Sequence, residues 1–363
     1  MKRWLWHAVR FAVTAGFLVY VYHLIQWEDR TGWEVPGPDA GWVRFDGTEV
    51  VRKDGRISFA WKNGRRTEHE EKDVKAIPVE GFLSLFGRAN KGLIFAMAAA
   101  LLVPYTILAL RWWILLRGHG FAVPFGRIFF VNYAGVFFNN FLPGGVGGDL
   151  TKMILASSGE ERKAAVVGTV LLDRVIGLAV LILLGAACLV PFAGRFPDGR
   201  IPGLVFGLAG AVIAGYLAYF SPPVRRLLGS RGGVWASLDG VFRSANEKKR
   251  LTAAVAGLSV VSQVASILII YGLGRSLGIT ATPLWNFFVF EPIIFIVTAM
   301  PISMGGWGVQ EGAYQQLFAG FGGMDPNQAI ALSVLFKLSS ILVSIPGGLL
   351  FALGAARRGS RAP

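Results

Sequence analysis

The sequence predicts an all-α polytopic membrane protein: about six spanning helices, two re-entrant broken helical hairpins arranged as an inverted repeat, and a small β-meander inserted after the first helix. Three observations carry this reading. Apolar runs of about twenty residues, the length that crosses a bilayer as a helix, recur along the chain. Charged residues make up only 16% of the chain and hydrophobic ones 53%, whereas a soluble domain carries roughly a quarter charged. Two Gly-rich interruptions then fall at corresponding places in the two halves.

The mean hydropathy of +0.53 argues against nucleic acid as partner for a chain of formal net charge +14. The basic excess lies on the apolar part, because residues 27–91 hold twelve Lys/Arg against twelve Asp/Glu. Bases beside spans fix topology and meet anionic head groups. Cys188 is the one cysteine, so no intrachain disulfide forms; it reads as a small buried hydrophobe.

Residues 1–10 carry Lys2, Arg3 and Arg10, and residues 11–25 are apolar. No small-x-small cleavage signal follows, so residues 1–26 read as an uncleaved first helix with its start inside. Residues 27–91 change character. Asp46-Gly47, Asp54-Gly55 and Asn63-Gly64 recur between short strand-like runs, and such pairs favour two-residue hairpin turns. They predict an antiparallel meander with strands at 42–45, 48–53 and 56–62. An open-edged sheet does not sit in lipid, so this is a water-side insert.

Further spans are expected at about 93–116, 164–190, 202–220, 251–273 and 328–354, within a membrane domain at 92–356. The loop 221–250 holds Arg225, Arg226, Arg231, Arg243, Lys248, Lys249 and Arg250, which places it in the cytoplasm. The basic tail 357–363, with Arg357, Arg358 and Arg361, lies there too, and Arg117 and Arg127 keep their loop inside. Parity then requires the apolar stretches 125–142 and 285–300 to return to the side they entered from.

Each of those stretches breaks. The first reads Phe141-Leu142-Pro143-Gly144-Gly145-Val146-Gly147-Gly148-Asp149, the second Met300-Pro301-Ile302-Ser303-Met304-Gly305-Gly306-Trp307-Gly308-Val309-Gln310-Glu311. Proline stops a helix, glycine permits sharp turns, and non-helical backbone at membrane depth needs protein or water around it. Paired interruptions point to a transport site near the midplane. The alternative is an ordinary loop between two full helices.

Candidate substrate-binding residues follow from polar groups at these breaks and inside apolar runs, where charge is costly. They are Asn139, Asn140, Gly144, Gly145, Asp149 and Lys152 at the first break, and Gly305, Gly306, Gln310 and Glu311 at the second. Asp173, Arg174, Glu291 and Lys337 lie inside apolar segments. The functional reading is a polar path for a charged head group, with Asp149 and Glu311 bordering one cavity. The ordinary alternatives are internal pairing of Asp173 with Arg174 and of Glu311 with Lys337, and helix-end capping by Asn139, Asn140, Asp149 and Glu311. The four histidines form no metal-like pair, there is no GxSxG or Walker sequence, and neither a catalytic residue nor a cofactor or metal is expected.

Asn140-Phe141-Leu142-Pro143-Gly144, Gly148-Asp149-Leu150, Leu172-Asp173-Arg174-Val175-Ile176-Gly177-Leu178, and Pro301 with Gly305-Gly306-Trp307-Gly308-Val309-Gln310-Glu311-Gly312 together resemble the lysylphosphatidylglycerol synthase transmembrane family. This is the flippase-like domain found alone or fused to a synthase, and the resemblance runs over about residues 93–354. It implies moving or presenting a lipid across the cytoplasmic membrane. The chain ends at Pro363, soon after the last span, so a stand-alone member without the aminoacyl-transfer domain is expected. Members often carry Arg or Glu where this chain has Gly147-Gly148-Asp149, which bears on head-group preference. The expected partners are membrane lipids with anionic or phosphate-containing head groups, together with an envelope protein at residues 27–91. The rival classes are a non-transporting scaffold and a membrane-embedded transferase on a lipid carrier.

The topology has a direct test. With Cys188 replaced, single cysteines at Gly55 and Gly232 should label oppositely with an impermeant thiol reagent in intact spheroplasts. Equal labelling rejects the assigned sides.

Overall fold

The computed structural model describes residues 19, 22–23, 25–36, 42–44, 49–53, 55–60, 66–142, 147–157, 162–196, 199–219, 221, 234–299 and 303–359. The chain divides into two compact units, one of residues 24–88 and one of the remainder. Most of the first expected helix, 1–26, lies outside the described residues.

Among the described residues the small unit holds six strands: β1 (Arg30–Pro36), β2 (Trp42–Arg44), β3 (Glu49–Lys53), β4 (Arg56–Ala60), β5 (Arg66–Glu70) and β6 (Lys75–Val79). They form two antiparallel three-stranded sheets, ordered β2-β1-β6 and β3-β4-β5. The single meander expected from the turn pairs is therefore corrected. Lys53 of β3 stands opposite Arg56 of β4, with Gly55 at φ 72°; Asp54 lies outside the described residues. The other two turn pairs lie outside the described residues. The missed strands are β1, β5 and β6; β1 and β6 pair across some forty residues of chain, Trp33 opposite Ala76. No local turn signal announces such a pairing. Burial explains why two sheets form: Val35 of β1, Ile57 and Phe59 of β4, and Val74 make one core, with Trp33 packed against it.

A short helix, α1 (Phe82–Arg88), closes the small unit. The N–H of Phe82 donates to Gln26 O at 2.8 Å, and that of Gly81 donates to Asp29 Oδ1 at 2.6 Å. Gly81 has no room for a side chain, because a Cβ there would overlap the Glu28 backbone and lie 2.6 Å from Trp27 O. The Gly81 N–H, then the Ser84 hydroxyl and the Arg88 guanidinium, hold the Asp29 carboxyl below its usual value.

The large unit is helical. α2 (Lys91–Ala100) and α3 (Leu102–Gly118) make one apolar span with a break at Leu101. α4 (Phe125–Phe141) and α5 (Gly147–Ser157) flank the first Gly-rich sequence. α6 (Lys163–Leu189) and α7 (Arg200–Tyr219) are apolar, and α8 (Val234–Glu247) precedes the 28-residue α9 (Lys249–Ser276). α10 (Leu284–Ala299) and α11 (Val309–Tyr314) flank the second Gly-rich sequence, a π turn (Gln315–Ala319) follows, and α12 (Pro326–Gly359) ends the fold. Five stretches among the described residues are long and apolar enough to cross a membrane: Lys91–Gly118, Lys163–Gly194, Pro202–Tyr219, Lys249–Ser276 and Pro326–Leu353. They coincide with the five expected after the insert. α4 and α10, of 17 and 16 residues, fall short of the roughly twenty a full crossing needs.

The packing is reciprocal between halves. α3 packs on α9, α4 of the first half packs on α12 of the second, and α10 of the second half packs on α6 of the first. A two-fold exchange of α3 with α9, α4 with α10, and α6 with α12 leaves this pattern unchanged. Crossings are tight where side chains are smallest: a Cβ on Gly347 of α12 would lie 2.5 Å from Tyr133 O of α4.

The closure of the small unit is a point of sensitivity. Gly81→Ala should open it, read as faster proteolysis within residues 24–88 of the full-length protein, and Asp29→Asn should do so more weakly. The Asp29 contribution is present at neutral pH and is lost as pH falls through its lowered folded-state value. Unchanged proteolysis in both variants rejects this closure.

Candidate functional site

The first break is organised by its two asparagines. Asn139 Oδ1 accepts the Gly148 N–H at 2.6 Å, so Asn139 caps the start of α5, whose free N–H groups need acceptors. Asn140 is buried and turns the other way. Its Nδ2 donates to Val136 O and to Ser344 Oγ, each at 3.2 Å, and its Oδ1 accepts from Ser340 Oγ at 3.4 Å. The Tyr105 hydroxyl lies 2.8 Å from Ser340 Oγ. One polar chain thus ties α3 and α4 to α12. Gly144 and Gly145 lie outside the described residues.

The second break docks onto the first. The Gly305 N–H donates to Leu142 O at 3.0 Å, and a Cβ on Gly305 would overlap the Asn140 carbonyl. Its φ of 57° also excludes most side chains, and Gly306 and Gly308 are at 75° and 79°. The buried Lys337 donates from Nζ to Gly305 O and lies over the Trp307 ring, 5.6 Å from its centroid. Glu311 Oε2 accepts the Gly308 N–H at 2.6 Å, the reach-back half of a capping box. Gln310 is buried and its Nε2 reaches Ser333 O at 3.5 Å.

The charged residues separate into two sets. In the first, Arg111 of α3 grips Asp173 of α6, with Nε–Oδ1 2.6 Å and Nη2–Oδ2 2.9 Å. Its Nη1 donates to Ser259 of α9 at 2.9 Å, and both charged side chains are almost fully buried. Arg174 pairs with Asp149 at the start of α5 and keeps 30% of its side chain exposed. Lys152 lies over the Trp112 ring at 5.4 Å and interacts with both aspartates. The set holds three cations and two anions. The second set is Glu291, Glu311, Tyr314 and Lys337, all buried.

Two pairings weighed as ordinary alternatives are not the ones the structure makes. Asp173 pairs with Arg111 rather than with its neighbour Arg174, since consecutive helical residues point to different faces. Glu311 and Lys337 make no ion pair, because each is spent on backbone groups of the second break. Asp149 and Glu311, expected to border one cavity, each bind within their own half. Arg111 escaped the sequence reading although it stands in the middle of an apolar span, where the cost of charge alone marks it. A recess of about 450 Å³ at Gly118 and Glu247 to Leu251 is lined by none of these residues. Among the described residues no group of three His, Cys, Asp or Glu is placed to hold a metal ion.

Residues 76–347 match the family described as the lysylphosphatidylglycerol synthase TM region. The chain belongs to that family. The match covers α1 to most of α12 and begins inside β6, so it takes in both breaks and every charged residue of the two sets. The family places the chain among multi-pass membrane proteins with a lipid-related role. No curated protein matches it.

The Arg111–Asp173 pair gives a stability prediction. Removing one partner leaves a buried charge alone and costs about 3–5 kcal/mol, whereas an apolar pair of similar volume is tolerated. Asp173→Asn should therefore lower the thermal unfolding midpoint in detergent, and Arg111→Met with Asp173→Leu should restore most of it. A double variant no better than the single one rejects the role of the pair.

Proposed function

We propose that this chain is a non-enzymatic lipid translocator of the flippase or scramblase type. It acts in the cytoplasmic membrane, with both termini on the cytoplasmic side and residues 27–91 outside. The observation that carries this reading is the docking of the two breaks, Gly305 N–H on Leu142 O. Interrupted helices from two halves that meet inside a bundle make the arrangement expected of a midplane transport site.

The chemistry supports an anionic head group. The first set has one more cation than anion, and Arg174 is partly exposed beside Asp149. A guanidinium suits phosphate or carboxylate through paired N–H donors. On this reading Asp149 holds Arg174 in place between substrates, Lys152 adds a second positive charge, and the acyl chains stay in lipid. A translocator needs no acid or base for bond breaking. Asp173 is committed to Arg111 and Glu311 caps a helix, which leaves them poorly suited to general acid–base work.

Reconstitution into liposomes with labelled anionic and zwitterionic lipids tests this. Translocation of at least one anionic lipid should exceed that of protein-free vesicles. Arg174→Gln should cut it roughly tenfold or more, since a hydrogen bond to a charged group contributes about 1.5–3 kcal/mol, while leaving the unfolding midpoint nearly unchanged. Background flux for every lipid rejects translocation. Normal flux in Arg174→Gln rejects this residue as the head-group contact.

A further inference from the structure

The second charged set has a defect that the first lacks. Glu291 of α10 is fully buried, and neither of its carboxyl oxygens has a hydrogen-bond partner. Tyr314 of α11 is fully buried beside it; the two interact, yet the Tyr314 hydroxyl also makes no hydrogen bond of ordinary geometry. Glu311 interacts with Tyr314 and with Ser333, and its Oε1 and the Ser333 Oγ are unpartnered too. Five buried oxygens are thus gathered with no N–H donor aimed at them. Buried polar atoms are nearly always paired, and each exception needs a cause.

Charge points the same way. Of the two carboxyl groups only Glu311 interacts with an ammonium, that of Lys337, and Lys337 donates to Gly305 O. The helices packed against α10 offer nothing more. On α6, Asp173 is held by Arg111 and Arg174 by Asp149, and Lys163 and Cys188 make no bond to Glu291. On α9, Arg275 lies over the Tyr271 ring at 5.8 Å, and Lys249 and Arg250 sit in its first turn. The first set has a surplus of one positive charge and the second a deficit of one. Local backbone geometry adds to this: Pro292 removes one helical N–H beside Glu291, and the π turn begins immediately after Tyr314, a distortion that recurs at functional sites.

We propose that Glu291 and Tyr314, with Glu311 and Ser333 beside them, form a binding site for one small monovalent cation, a proton or a sodium ion. All five candidate ligand atoms are hard oxygen donors, which suit a proton or an alkali ion and not a soft metal. The bound cation neutralises one carboxyl group; a sodium ion takes several of these oxygens as ligands, whereas a proton lets one carboxyl group donate to a neighbouring oxygen. The site goes beyond the proposed transport role and does not depend on it: its test reads cation occupancy, not lipid movement. If the chain does translocate lipid, the site supplies the place where an ion gradient acts.

The experiment uses the full-length protein purified in detergent. One arm follows the unfolding midpoint across a sodium series at fixed pH, with choline keeping ionic strength constant. The other records infrared difference spectra through a pH titration in sodium-free buffer. Sodium binding raises the midpoint as sodium rises. Proton binding leaves the midpoint indifferent to sodium and gives a protonated-carboxyl carbonyl band already present at neutral pH, where exposed carboxyl groups are ionised. In either case Glu291→Gln abolishes the response and Tyr314→Phe weakens it. A wild-type protein that shows neither response, or a Glu291→Gln variant that retains it in full, overturns the proposal. Should Glu291→Gln fail to fold, Tyr314→Phe and Ser333→Ala carry the same decision: an unchanged response in both overturns it.

Discussion

Backbone groups freed by a broken helix must find partners where no water is available, and the membrane unit is arranged around that requirement. Glycine and proline interrupt two helices, and the exposed N–H and C=O groups cannot be left to lipid. The Leu142 carbonyl takes the Gly305 N–H, Lys337 takes the Gly305 carbonyl, Glu311 takes the Gly308 N–H, and Asn139 takes the Gly148 N–H. Among the described residues each break has a nearby side chain that takes one of its freed groups, and one hydrogen bond joins the two breaks. Moving either hairpin away would strand several polar groups at once. The same constraint explains why α12 must lie against α4: Ser340, Ser344 and Asn140 complete one polar chain there.

That arrangement decides which charges are structural and which remain available. Arg111 is saturated by Asp173 and Ser259 and joins three spans. Asp149 and Arg174 satisfy each other at a partly exposed position. Glu291 is the reverse case, buried with only the Tyr314 hydroxyl beside it. The bundle thus holds one positively biased polar set and one negatively biased set, and the elements carrying them exchange packing partners between halves.

The spans were legible because the bilayer imposes one length and one composition on them. All five expected after the insert match helices within a few residues. The breaks were legible because Pro and Gly-Gly-x-Gly have few uses inside an apolar run. Partners were not. Asp173 looks complete beside Arg174 in sequence, yet its mate is Arg111, 62 residues earlier on another helix. Capping was foreseeable from position alone, and Asn139 and Glu311 behave so. The small unit shows the same division: the pairing of β3 with β4 follows from a two-residue turn signal, whereas the pairing of β1 with β6 rests on a shared apolar core that no local pattern reveals.

The sequence by itself thus determined the membrane class, the order of spans, the positions of the two breaks and the family. These depend on composition, period and backbone freedom, which are local properties. Only the tertiary structure decided that Gly305 meets Leu142, that Arg111 and not Arg174 holds Asp173, and that buried Glu291 has the Tyr314 hydroxyl beside it. Each of these is a relation between separate elements of the chain, fixed by which small residues let two backbones approach and by the need of every buried polar group for an answering one.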